Sequence, residues 1–143
     1  PALPLHMAAE WIFSKTNKKY KQIDVPELVD TQVPNPFRSK SKDLYVSHAA
    51  FTCPDNCAEP EDICTYTKKL RKENMYNMLK EVTLNHVHTF VIKSYQLGPG
   101  VGGVCTEDLF NIIDDVNNSE KHILISTACK CHGVVSYFEI LED

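Results

Sequence analysis

The sequence lacks the features that mark membrane, secreted and nucleic-acid-binding proteins. No apolar stretch approaches the roughly 18 residues of a membrane-spanning helix, and residues 1–20 lack the charged start, apolar middle and small-residue end of a signal peptide. No run of five like charges occurs, and the net charge of −4 provides no basic surface for nucleic acid. We therefore expect a cytoplasmic protein without a membrane span that does not bind nucleic acid.

Glycine is scarce, and most of it is concentrated in one place. Four of the five glycines lie in the segment LGPGVGG: Gly98, Gly100, Gly102 and Gly103. The segment stands between a predicted strand and a predicted helix, where backbone amides and the helix dipole attract phosphate. It lacks the Lys-Ser/Thr of a Walker loop. Gly98, Gly100 and Gly103 have the offsets of two and three of a G-x-G-x-x-G loop, but no suitable acidic residue ends a following strand about twenty residues on. Two interpretations stay open, a nucleotide-binding loop and a tight turn that lets the backbone approach a neighbouring loop.

Cysteine, in contrast, is abundant. The apolar content of 43% is enough to fill a core in a chain of this length, so the six cysteines are not needed as covalent cross-links. In a reducing compartment, cysteines indicate metal or redox chemistry more readily than a disulfide framework. A secreted protein with three disulfides is the competing interpretation. Five of the cysteines fall into two motifs, FTCPDNCAEPEDIC with Cys53, Cys57 and Cys64, and ACKCH with Cys129 and Cys131.

A metal site is the first hypothesis for these motifs. Thiolates prefer zinc or an iron–sulfur cluster, and a tetrahedral site needs four ligands. The predicted set is Cys53, Cys57, Cys64 and Cys129, with Cys131 and His132 as substitutes or as groups that support the ligands. The spacing C-x3-C-x6-C plus C-x-C matches neither common zinc fingers nor ferredoxins. It therefore indicates a metal without indicating which one.

Thiol chemistry is the second hypothesis. Cys129 and Cys131 flank Lys130 and precede His132, and positive charge at these two side chains would lower a thiol pKa. An enzyme would use Cys131 or Cys129 as the nucleophile and His132 as the base. Cys129 as a simply buried small residue is the structural alternative. Acidic residues of the first motif, such as Glu59, are expected to be solvated and to have no role.

The hydrophobic pattern predicts alternating strands and helices. Alternation of this kind is typical of right-handed crossovers in a parallel sheet. We predict an α/β fold, a small three-layer Rossmann-like domain whose mostly parallel sheet has an antiparallel C-terminal edge strand. The cysteine motifs and the glycine segment would then meet at the carboxyl ends of the strands. The predicted strands are 44–51, 87–97, 123–127 and 134–141, and the predicted helices lie at the N-terminus and at 67–84 and 106–116.

The chain divides into two predicted parts. Residues 1–43 form an N-terminal amphipathic helix and an extended connector, and residues 44–143 form the α/β domain that carries the cysteine site. Three parallel strands make a thin sheet, so we expect a homodimer or a missing N-terminal domain. The sequence does not identify a small-molecule ligand.

Three segments, FTCPDNCAEPEDIC, YQLGPGVGG and STACKCHGV, resemble those of a group of uncharacterised prokaryotic proteins. Members of this group are sometimes labelled NAD-binding or potassium-transport-regulator-like. The resemblance extends over about residues 1–140. The labels imply a Rossmann-like part ahead of this chain and imply no established activity.

Overall fold

The computed structural model describes residues 5–119 and 121–142, with side chains from Met7 onward within these ranges; the first four residues of the predicted N-terminal part lie outside them. The strands are Lys19–Ile23 (β1), Phe37–Arg38 (β2), Leu44–Ser47 (β3), Val87–Gly98 (β4), Val101–Val104 (β5), His122–Ala128 (β6) and His132–Leu141 (β7). The α-helices are Leu5–Ser14 (α1), Met75–Lys80 (α2) and Thr106–Asn117 (α3), and a 3₁₀ helix spans Glu27–Gln32.

All seven strands belong to one mixed sheet that is organised around β7. The order across the sheet is β2-β3-β7-β6-β4-β5. One edge of β7 pairs with β6, and its other edge pairs first with β3 along residues 132–135 and then with β1 along residues 137–141. Every pairing is antiparallel except that of β4 with β6, the two strands that α3 connects.

The Rossmann-like prediction is therefore wrong, because the sheet is mostly antiparallel. Of the predicted helix 67–84 only α2 forms, and the residues between β3 and α2 form a long irregular loop instead of a crossover helix. The glycine segment, expected as a loop before a helix, forms the β4–β5 hairpin. The predicted N-terminal part, residues 1–43, also contributes β1 and β2 to the sheet.

Both faces of the sheet are covered, which explains why its central strands are apolar on both sides. On one face, α1 and α3 pack against Ile123 and Ile125 of β6. On the other face, α2 and the 3₁₀ helix pack against Leu124 and Ala128 of the same strand. Alternate residues of a strand point to opposite faces, so β6 is buried along nearly its whole length.

Several local predictions are confirmed. The helix predicted at 106–116 is α3, and the last two predicted strands form the antiparallel β6–β7 hairpin. The amphipathic helix that starts at Leu5 is α1, which buries Ala8, Ala9, Ile12 and Phe13. Within residues 5–119 and 121–142, no helix has the length and apolar character that a membrane span requires.

Candidate functional site

A cavity of about 1580 Å³ opens at one end of the sheet. Its walls come from the ends of β3 and β7, from the β4–β5 hairpin and from two segments that we name the cysteine loop (residues 48–74) and the β6–β7 turn (residues 129–131). All six predicted metal ligands line it: Cys53, Cys57, Cys64, Cys129, Cys131 and His132. The sixth cysteine, Cys105, is exposed ahead of α3 and does not line it. The two cysteine motifs, 65 residues apart or more, thus meet in space.

Strand pairing explains why the two motifs meet. Ser47, the last residue of β3, pairs with His132, the first residue of β7. The cysteine loop leaves β3 at this point, and the β6–β7 turn enters β7 there. Two backbone hydrogen bonds fix the turn further, from the His48 N–H to the Cys131 carbonyl at 2.9 Å and from the Met75 N–H to the Lys130 carbonyl at 2.8 Å.

The sulfur atoms accept hydrogen bonds from backbone amides. The Glu59 N–H donates to Cys57 Sγ at 3.4 Å, and the Thr67 N–H donates to Cys64 Sγ at 3.4 Å. In the β6–β7 turn, the His132 N–H donates to Cys129 Sγ at 3.3 Å. Hydrogen bonds of this kind favour a thiolate over a thiol.

Side chains also connect the loop with the turn. Cys53 Sγ lies 3.5 Å from His132 Nε2, and Arg71 Nε donates to Cys131 Sγ at 3.2 Å. The carboxylate of Glu59 accepts a hydrogen bond from the Cys131 N–H at 3.0 Å.

The pKa values of the two thiols in the β6–β7 turn are raised, whereas the pKa of Cys64 in the cysteine loop is lowered. Burial, together with Glu59, raises the pKa of Cys129 to about 12, so this thiol stays protonated. Burial also raises the pKa of Cys131, but Arg71 opposes the rise. The hydroxyl and amide of Thr67 lower the pKa of Cys64.

Lys130 and His132 do not activate the neighbouring thiols as the sequence suggested. The ammonium of Lys130 forms an ion pair with Glu61 at 2.6 Å, and burial lowers the pKa of His132, which favours the neutral imidazole. The pKa values of Cys129 and Cys131 accordingly move up rather than down.

The predicted set of site residues omitted three side chains that lie at the cavity. Glu59 was expected to be solvated, but it is only 9% exposed. Arg71 contacts a sulfur atom of the other motif. His48 lines the cavity, and its Nε2 atom is buried without a hydrogen-bond partner in the part of the chain that the structure describes. Glu59 and His48 lie near the cysteines in sequence, whereas no local pattern marks Arg71.

The glycine segment forms a tight turn between two strands, and a nucleotide-binding role for it stays a prediction. Gly98 ends β4, Gly102 and Gly103 lie in β5, and Gly100 occupies the turn between them with φ of +73°. A Cβ atom on Gly100 would lie 3.6 Å from the carbonyl oxygen of Asp55, so the cysteine loop passes close to the hairpin. The turn leads into β5, and α3 begins after that strand, at Thr106.

The predicted ligands line one cavity without yet forming a coordination sphere. Across the described ranges, no three Cys, His, Asp or Glu side chains are arranged as ligands of a single ion. Metal binding would therefore require some movement of the cysteine loop, the β6–β7 turn or both.

The fold and the cavity define the protein as a mixed-sheet domain with a thiol-rich site. Residues 6–141 match the family model AF_1314_C, described as "Uncharacterized protein, C-terminal domain", and the chain belongs to this family. A protein of Archaeoglobus fulgidus, also called "Uncharacterized protein", is 31% identical over 142 residues. The match covers 95% of this chain but 62% of that relative, so the chain spans less than two thirds of the relative's length. No solved structure matches the chain.

These matches confirm that the chain is related to uncharacterised prokaryotic proteins. Neither name mentions a nucleotide or potassium transport, so the two labels gain no support from them.

Proposed function

We propose that this domain binds a metal ion through cysteine thiolates, with zinc as the first choice and an iron–sulfur cluster as the alternative. The ligands would be Cys53, Cys57 and Cys64 of the cysteine loop and one thiol of the β6–β7 turn. The observation that carries the proposal is the meeting of two distant cysteine motifs in one cavity, with amide or side-chain nitrogens already at the sulfur atoms.

Electrostatics favour a cation at this place. Burial is the largest cause that raises the pKa of Cys53, and negative charge at Cys57 and Cys64 adds to it. Burial also raises the pKa of Cys131, with smaller contributions from Glu59 and Cys53 and an opposing one from Arg71. These thiols are thus close enough for each thiolate to oppose the next. A divalent ion removes this repulsion, because it binds the thiolate forms and releases their protons.

The two segments differ in how firmly they are held. The β6–β7 turn continues a buried antiparallel ladder, whereas the cysteine loop has only local backbone hydrogen bonds and an isolated bridge between Ile63 and Leu70. We therefore expect the metal to draw the loop onto the turn. Binding energy would appear as added stability of the folded state.

Elemental analysis and metal titration test the proposal. Protein purified without oxygen or chelator should contain about one zinc per chain, or several irons with matching sulfide. Cys57→Ser should lose the metal and lower the unfolding midpoint. Cys105→Ser is the matched control, because this cysteine lies outside the cavity, and it should retain both. The proposal is wrong if the wild-type chain neither contains nor binds zinc, iron or cobalt.

A thiol-dependent enzyme is the second candidate, and the contact of Cys53 Sγ with His132 Nε2 at 3.5 Å favours it. Cys129 Sγ lies 3.8 Å from the other ring nitrogen, Nδ1, so the imidazole stands between two thiols. In this case His132→Gln should slow alkylation of Cys53 by iodoacetamide at least several-fold in metal-free protein. An unchanged rate would exclude His132 as the base for that thiol.

The compartment and the assembly are further proposals. A site of unpaired thiols needs a reducing environment, which supports the cytoplasm. A homodimer, or association with a further domain, remains a prediction that sedimentation of the purified chain would test.

A further inference from the structure

Arg71 connects the two cysteine motifs through a single guanidinium group. Its Nε atom donates to Cys131 Sγ at 3.2 Å. Its two terminal nitrogens donate to the Pro60 carbonyl, both at 3.1 Å, and one of them also donates to the Glu61 carbonyl at 2.8 Å and to Asn74 Oδ1 at 3.4 Å. The N–H donors of the guanidinium group are thus divided between a sulfur atom of the turn and two carbonyl oxygens of the loop.

The backbone of Arg71 adds to this arrangement. Its N–H donates to the Asp62 carbonyl at 2.7 Å, which closes the segment that contains Cys64. A lysine at this position would supply the charge but not the planar fork. The geometry therefore depends on arginine and not on positive charge alone.

The two thiols of the β6–β7 turn have different surroundings. Cys129 is 2% exposed, and its sulfur contacts the N–H and the carbonyl of His132, the first residue of β7. Cys131 is half-buried, lines the cavity and receives the guanidinium N–H. Buried thiols that are bonded in this way are usually structural.

We infer that Arg71 is the positioning residue of the thiol site, and that it presents Cys131, rather than Cys129, as the ligand that the β6–β7 turn contributes. The ligand assignment rests on the proposed metal function. The fastening of the loop by Arg71 does not, because each of its contacts joins two protein groups.

Cobalt titration of the whole chain tests the ligand assignment. Sulfur-to-cobalt charge-transfer absorption reports each bound thiolate and responds to hydrogen bonds at the sulfur. Cys131→Ser should reduce this absorption and the affinity, whereas Cys129→Ser should retain the absorption. Cys129→Ala is the second variant to use if the serine variant does not fold.

Arginine variants test the positioning role. Arg71→Lys should weaken cobalt binding by roughly 10–100-fold and shift the charge-transfer band. In the Cys131→Ser background the same change should have much less effect. The matched control is Arg38→Lys, because Arg38 forms a similar fork with Asp30 and the Val25 carbonyl outside the cavity, and it should leave cobalt binding unchanged.

Hydrogen exchange of the metal-free chain tests separately whether Arg71 holds the cysteine loop in place. The amides of Cys64 and Arg71 should exchange at least tenfold faster in Arg71→Lys than in the wild type. Unchanged exchange together with unchanged cobalt affinity would overturn the inference and leave the proposed function intact. Absence of cobalt and zinc binding by the wild type would overturn the proposed function and the ligand assignment, and exchange alone would then decide the fastening.

Discussion

Gly133→Ala should destabilise the fold, because α2 packs closest to the sheet at this glycine. A Cβ atom at residue 133 would lie 2.8 Å from Leu79 Cδ1 and 3.0 Å from Val46 Cγ2. Leu79 is 1% exposed and Val46 is 2% exposed, and both side chains belong to the core cluster on this face of the sheet. The inserted methyl group must therefore displace α2 or distort β7.

The expected loss follows from two opposing effects. Overpacking a filled core costs about 1–3 kcal/mol, and replacing glycine by alanine returns about 0.4–1 kcal/mol by restricting the unfolded chain. The net loss of unfolding free energy should be about 1–2 kcal/mol. With a urea m-value of about 1–3 kcal/mol/M, the unfolding midpoint should fall by roughly 0.5–1 M.

Urea unfolding followed by circular dichroism provides the assay, and the chain contains a matched control. Gly98→Ala adds the same methyl group where no atom lies within 4 Å, so its midpoint should equal that of the wild type or rise slightly. Leu79→Val removes the Cδ1 atom, and the double variant should therefore be more stable than the two single losses predict. A Gly133→Ala midpoint equal to that of Gly98→Ala would refute the packing argument.

Two further predictions concern charged groups outside the cavity. Asp43 is 6% exposed and accepts hydrogen bonds from three side chains, Ser136 among them. Asp43→Ala should therefore lower the unfolding free energy by about 1–3 kcal/mol. Equal urea midpoints for the variant and the wild type would contradict this. Hydrogen bonds from Lys21 and Lys121 lower the pKa of Glu139, so its contribution to stability should be present above the ordinary glutamate pKa and be lost as the pH falls through the lower folded-state value. A carbon-13 titration of this carboxyl should give a pKa below that of a model glutamate, and a value at or above it would exclude the two ion pairs in solution.

The elements of the fold were largely readable from the sequence, but their pairing was not. Apolar periodicity located β4, β6, β7 and α3. Periodicity carries no information on which strand lies beside which, and β7 inserts between β3 and β6. The antiparallel pairing of β7 with both neighbours makes β3 and β6 run in the same direction. The expected common direction of these strands was therefore correct, although the expected parallel pairing of β3 was wrong.

The same topology explains why the cysteine motifs were grouped correctly from an incorrect fold. Segments that follow strands of one direction emerge at one end of a sheet, whether or not those strands are neighbours. The loop after β3 and the turn after β6 satisfy this condition, as does the hairpin after β4. Only the direction of the strands, and not their order, was needed to bring the thiols together.

The polar partners of the thiols required the three-dimensional structure. Glu59 reaches the Cys131 amide across 72 residues, and Arg71 reaches the Cys131 sulfur across 60. Isolated charged residues in a loop usually face water, so the sequence did not indicate that Glu59 and Arg71 belong to the site. Buried polar groups must instead be satisfied by specific partners, which makes these two residues costly to place and sensitive to substitution. The site therefore consists of two thiol segments, an irregular loop and a turn between paired strands, with the guanidinium of Arg71 joining them.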